Sequence, residues 1–268
     1  MSGEPTITLL ARCLCGTHTF PTTLPVSSLP LKVSACHCIS CRHVTGALRS
    51  SDAVWPGPAS DIADALREFE AMQKKGEELP FFVDPATHKL LASQDCCASC
   101  RIWSGSEVYN WTFSLLRHIS IAGADASEFP SSTAELRAAV EGKDGKPRDP
   151  RFGTLTFYAS SPDVQRYHCG RCSASVFYAV DSRPSMVDIA VGVLNSPDGA
   201  RAESVLSWAF GEAFSWKQDM EGTWREGILH AVERDLEQWR IERGYPKNWH
   251  RVAREKAARE KAAQAEQK

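Results

Sequence analysis

Long hydrophobic runs are missing from this sequence. No apolar stretch approaches the ~18–20 residues that crossing a bilayer requires, so a membrane-spanning helix is not expected. An excess of either charge is missing too. With a formal net charge of -2 and a pI near 6.5, the chain has no long-range field to gather phosphates, which excludes nucleic acid as an expected partner. The opening stretch MSGEPTITLLARC has neither the basic flank nor the apolar core of a secretory leader. The expected location is therefore cytoplasmic, with the nucleus left open.

What is present is cysteine. A chain of 268 residues with 43% hydrophobic content can build an ordinary core without disulfides, yet it holds ten cysteines. In a reducing compartment thiols stay unpaired, so clustering them points to metal binding or catalysis. Nine of the ten fall into spaced groups: Cys13 and Cys15; Cys36, Cys38 and Cys41; Cys97 and Cys100; Cys169 and Cys172. Cys96 alone looks surplus to a spacing motif.

Counting ligands is a functional test, because closed four-ligand zinc sites are structural and open ones are catalytic. Cys13-Leu14-Cys15 is a short bite that needs a second pair, and Cys169-Gly170-Arg171-Cys172 has the spacing to supply one. Together they make a closed four-thiolate site joining two distant strands, and closing it contributes folding energy. Cys36-His37-Cys38-Ile39-Ser40-Cys41 offers three sulfurs from one turn and leaves a position open. A thiol entering that position loses its proton, which makes the missing ligand a candidate substrate. Two other readings stand beside this one. Cys96, Cys97 or Cys100 closes the second site, or the CCASC thiols are buried small hydrophobes. Arg42 is a candidate for pairing with a substrate carboxylate or for a surface ion pair, and His37 and His43 are candidates for hydrogen bonds to ligand sulfurs.

The segments TITLLAR, LKVSA, GTLTFYA (153–159), SASVFYAV (173–180) and MVDIAVGVL (186–194) are strand-like and flank most of the cysteine groups. Between them, 61–76 places Ile62, Leu66, Phe69 and Met72 on one helical face and ends in a glycine, while 131–142 carries Ser132 and Glu135 as a capping box. A third helix is expected over 223–244, opened by Thr223 and Glu226, with Trp224, Ile228, Val232, Leu236 and Trp239 near helical period. Trp208, Trp216, Trp224 and Trp239 are expected to pack against the sheet.

In order and spacing, Cys13-Leu14-Cys15-Gly16, Cys36-His37-Cys38-Ile39-Ser40-Cys41-Arg42 with Thr45-Gly46-Ala47, Leu155-Thr156-Phe157-Tyr158 and Tyr167-His168-Cys169-Gly170-Arg171-Cys172 resemble one family. It is the family of glutathione-dependent formaldehyde-activating enzymes and centromere protein V, and the likeness is to its long fungal-type members. Ser173 stands where that family usually has glycine, and His168 where an aromatic is common. The resemblance implies a mainly β chain, a zinc-bearing β-tent of small antiparallel sheets with a helical insertion and a C-terminal helix. It implies a structural zinc on Cys13, Cys15, Cys169 and Cys172 and a labile catalytic zinc on Cys36, Cys38 and Cys41. The implied activity is that of a carbon–sulfur lyase, joining a thiol such as glutathione to formaldehyde or a related electrophile. The rival expectation is a non-catalytic, zinc-stabilised interaction module.

The expected organisation is a zinc domain over 1–195 with an insertion at 51–150, a helical extension over 196–250 packed on it, and a charged tail over 251–268.

Overall fold

Strand-forming residues recur through most of the chain, and a computed structural model shows how they pair. It describes residues 4–12, 17–28, 59–121, 129–142, 145, 147–194, 196–199, 201–211, 214–215 and 217–266. Strands β1 (Thr6–Arg12) and β2 (Thr19–Pro25) form an antiparallel ribbon in register from Thr6 opposite Pro25 to Arg12 opposite Thr19.

The remaining strands make one mixed sheet. They are β3 (Leu90–Asp95), β4 (Tyr109–Leu115), β5 (Leu155–Ser161), β6 (Val164–Cys169), β7 (Ser175–Val180), β8 (Met186–Ala190), β9 (Leu206–Trp208) and β10 (Phe214–Ser215). The order is β10-β3-β4-β8-β7-β6-β5, with β9 lying parallel to β3 on the edge that β10 also uses.

This corrects two features of the expected architecture. The large sheet is mixed, not a set of small antiparallel ones, because β9 and β10 run parallel to β3. Residues 51–150 are also only partly helical. They contribute β3 and β4, and β4 pairs with β8, so the segment reaches the middle of the sheet. β9 and β10 lie beyond residue 195, so the same sheet draws strands from both sides of that position.

Helix α1 (Ala59–Lys74) buries Phe69 fully and Ala65 nearly so against Phe82, Leu91, Val191 and Phe210. Burying one such aromatic is worth about 1.5–3 kcal/mol, which outweighs any single surface contact nearby. Gly76, at a φ of 75°, follows the helix where the expected cap falls, and the Glu77 amide donates back to the Met72 carbonyl at 3.0 Å.

Helix α2 (Ala98–Ser104) links β3 to β4. Helix α3 (Thr133–Glu141) lays Leu136 and Val140 on Tyr167, Phe177 and Val187. Its Ser132 hydroxyl accepts from the Glu135 amide at 3.2 Å, as the box requires. The reciprocal bonds fall one residue early, from the Ser131 amide and hydroxyl to the Glu135 carboxylate at 2.8 and 2.9 Å.

Helix α4 (Glu226–Glu242) differs more from expectation. Thr223 accepts from the Arg225 amide and Glu226 from the Gly222 amide, both at 3.1 Å, so the expected box is replaced by a turn. Trp224 sits ahead of the helix, 74% exposed, while Trp208 and Trp239 pack around Phe210 as expected. Helix α5 (Trp249–Glu266) makes the tail regular, tied down by Arg251 pairing with Glu237 at 2.7 Å and Glu255 at 3.1 Å.

Candidate metal centre

Strand alternation decides which side chains meet. Arg166 on β6 lies opposite Tyr178 on β7, Tyr178 opposite Asp188 on β8, and Asp188 opposite Phe113 on β4. A shared register position means a shared face. That row and Trp111, opposite Ser93, line a cavity of about 610 Å³. The opposite face carries Tyr167 and Phe177 and is covered by α3.

At the end of β3 the chain turns into α2 and places three donors on the cavity wall: Asp95, Cys97 and Cys100. The turn is held by its own polar groups. The Cys97 amide donates to Asp95 Oδ1 at 2.7 Å, the Ala98 amide to Asp219 Oδ2 at 2.8 Å, and the Cys100 amide to Cys97 Sγ at 3.1 Å. Gly105, at a φ of 69°, ends the helix with its amide on the Arg101 carbonyl at 2.8 Å. One oxygen of Asp95 and the sulfurs of Cys97 and Cys100 consequently all lie within 4.8 Å of one another.

The electrostatics separate the two sulfurs. A hydrogen bond from the Cys97 thiol lowers the Cys100 pKa, and the buried Arg166 guanidinium, 3.6 Å from that sulfur, adds to the effect. The same hydrogen bond, together with burial, pushes the Cys97 thiol up. Burial also raises Asp95, against the opposing pull of the Cys97 amide. Arg166 is held by Ser160 Oγ at 3.2 Å and by the Tyr178 ring 5.1 Å beneath it. Its neighbour Arg183 is taken up by Asp188 at 2.8 Å, a carboxyl that burial raises to about 6 despite that arginine. Cys96, which has no motif spacing, packs in a different hydrophobic cluster from Cys97 and Cys100. It is 1% exposed, packs on Met220 and Leu229, and burial raises its thiol to about 11.

Of the residues the cysteine spacing singled out, Cys169 and Cys172 are described. Cys169 ends β6, and its sulfur lies 3.1 Å from the Thr154 hydroxyl. Burial works against its thiolate, but the Thr154 hydroxyl and the Cys172 and Arg171 amides bring it down to about 7. Gly170 passes close to the neighbouring strand: a Cβ there would sit 3.2 Å from the Thr154 carbonyl. Ser173 takes a φ of 62°, which explains why glycine suits the position. Amides converging on a sulfur in a tight turn fit a thiolate that holds a cation. Cys13, Cys15, Cys36, Cys38, Cys41 and Arg42 lie outside the described residues, as do His37 and His43.

Residues 8–85 match the family model described as glutathione-dependent formaldehyde-activating enzyme. The match takes in Cys13, Cys15, Cys36, Cys38 and Cys41 and covers under a third of the 268-residue chain. It stops short of both Asp95 and Cys169. No curated protein and no solved structure matches the chain.

The formaldehyde-activating family match thus falls on the cysteine-rich N-terminal segment, while the described donor cluster lies beyond it. Sequence reasoning missed Asp95, Arg166, Tyr178, Arg183 and Asp188. A signal for Asp95 was available: Asp95-x-Cys97-x-x-Cys100-Arg101 repeats the spacing of Cys36-x-Cys38-x-x-Cys41-Arg42, with a carboxylate for the first thiol. Ser104-Gly105 follows it where Thr45-Gly46 follows the first copy.

Proposed function

We propose that this chain is a zinc-dependent carbon–sulfur lyase-type enzyme that adds a thiol, glutathione or a close relative, to formaldehyde or another small electrophile. The observation that carries the proposal is the family-model match over residues 8–85, which contains the Cys36, Cys38 and Cys41 triplet. Cys13, Cys15, Cys169 and Cys172 are the proposed holders of a structural zinc, and the triplet of a second, open one. Zinc on the triplet would supply the positive charge that keeps a thiol ionised at neutral pH.

In the addition the thiol gives up its proton, its sulfur lone pair forms the bond to the carbonyl carbon, and the carbonyl π pair moves to oxygen. That oxygen takes a proton, so the product is a hemithioacetal and no oxidant or reductant is needed. Arg42, adjoining the triplet, is the proposed partner for a carboxylate of the incoming thiol. The reading takes the protein as cytoplasmic and its partner as a small-molecule thiol. It takes 1–195 as the zinc-bearing part, with 196–250 packed against it and 251–268 as a tail.

The test is zinc content per chain together with glutathione-dependent formaldehyde consumption, for wild type and Cys38→Ala. Loss of one zinc and of the consumption, with the circular dichroism spectrum kept, supports the enzyme. Tightly held zinc with no response to thiol in the wild type overturns it and leaves an interaction module.

A further inference from the structure

We propose that Asp95, Cys97 and Cys100 form a separate metal centre of mixed donors, binding one thiophilic divalent cation of the zinc class in the cavity beneath Arg166. The proposal stands on the described residues and is independent of the activity assigned to the triplet.

Geometry is the first support. Bonds of about 2.0–2.3 Å set tetrahedral edges of about 3.3–3.8 Å, so donors already within 4.8 Å of one another need to close by about an ångström. They sit on a turn whose backbone is held by Asp95 Oδ1 and Asp219 Oδ2, and all three line the cavity, which leaves a remaining position for water or a small ligand.

The donor set is the second. The carboxyl oxygens of Asp95 and Asp219 and the sulfurs of Cys97 and Cys100 line one cavity wall, with the Arg166 guanidinium 3.6 Å from the Cys100 sulfur and Arg183 already committed to Asp188. Mixed oxygen and sulfur donors of this kind are the set that a divalent cation of the zinc class takes up.

The third is the pattern. The spacing and the following arginine copy the Cys36 triplet, and the one substitution, cysteine to aspartate, exchanges one zinc ligand type for another. A disulfide between Cys97 and Cys100 would use both sulfurs and leave the Asp95 carboxylate with no role in the turn beyond one amide bond.

The experiment uses the full chain, loaded with zinc and then with cobalt(II). Metal is counted by mass spectrometry, and the thiolate-to-cobalt charge-transfer band is read by absorption. Cys97→Ser with Cys100→Ser is expected to lose one metal equivalent and the share of the band due to two thiolates. Asp95→Cys is expected to keep the metal and raise that share about 1.5-fold, from two thiolates to three. Full metal content and an unchanged band in the double variant overturn the proposal. Should the double variant fail to fold, Asp95→Cys decides alone, and an unchanged band there overturns it equally. A wild type that stays inactive on formaldehyde while giving these results leaves this centre standing and removes only the activity.

Discussion

The described sheet carries two Cys-x-x-Cys turns, and their surroundings differ in almost every respect. Cys97–Cys100 opens a helix at the end of β3, both thiols are buried, and a carboxylate and a guanidinium converge on them. Cys169–Cys172 closes a strand, with Cys172 exposed and the Cys169 sulfur steadied by a hydroxyl and backbone amides. Spacing alone gives each turn a pair of sulfurs on one side. What the pair then does is set by the charge and burial that the rest of the sheet brings to it. The first turn is embedded in side chains from four strands, while the second depends mainly on its own backbone.

That contrast predicts where damage is severe. Trp111→Ala, which opens the floor of the cavity between Tyr109 and Tyr178, should cost about 3–5 kcal/mol in denaturant unfolding, since its side chain is 4% exposed. A loss under 1 kcal/mol would show that the buried turn is no better supported than the exposed one.

Next in size is a pH effect confined to the buried side. Because the folded pKa of Asp188 is raised to about 6, its proton is bound more tightly in the folded state than in the unfolded one. Stability is therefore greatest below the unfolded carboxyl pKa near 4 and declines as pH rises from about 4 to about 6, by about 3 kcal/mol. Asp188→Asn should flatten that window in thermal melts across pH, and a decline that persists unchanged would assign it to another group.

The smallest effects belong to the exposed turn. Gly170→Ala should cost about 1 kcal/mol by crowding the Thr154 carbonyl, and Ser173→Gly should stabilise by about 0.5 kcal/mol by relieving a left-handed serine. A stabilising Gly170→Ala together with a destabilising Ser173→Gly would show that the backbone of this turn is not the part that matters.

Local signals were legible where a single element carried them. The face of α1 with Phe69, the hydroxyl of Ser132 at the start of α3 and the strands at 155–161 and 175–180 follow from period and capping alone. β3 was missed because LLASQD carries serine, glutamine and aspartate in place of β-branched residues, and it is a strand because β4, β9 and β10 pair with it. VQRYHC was hidden by its arginine and histidine, although Arg166 is 5% exposed beside Cys100 and Tyr178. The helix over 226–242 was expected from its period, but its start was misplaced, since Thr223 and Glu226 close a turn instead of a reciprocal box.

By itself the sequence determined that this chain concentrates thiols at metal-ligand spacing, has no apolar stretch of bilayer-spanning length, and carries helices and strands wherever one period is clean. A spacing of a few residues is enough for that, because the backbone fixes how near neighbours in the chain can point. Only the tertiary structure decided that the turn holding Asp95, Cys97 and Cys100 lies beneath an arginine dozens of residues away, in a cavity built by other strands. Charge compensation in a buried pocket acts through space, and the strand register that creates it is a property of the whole sheet.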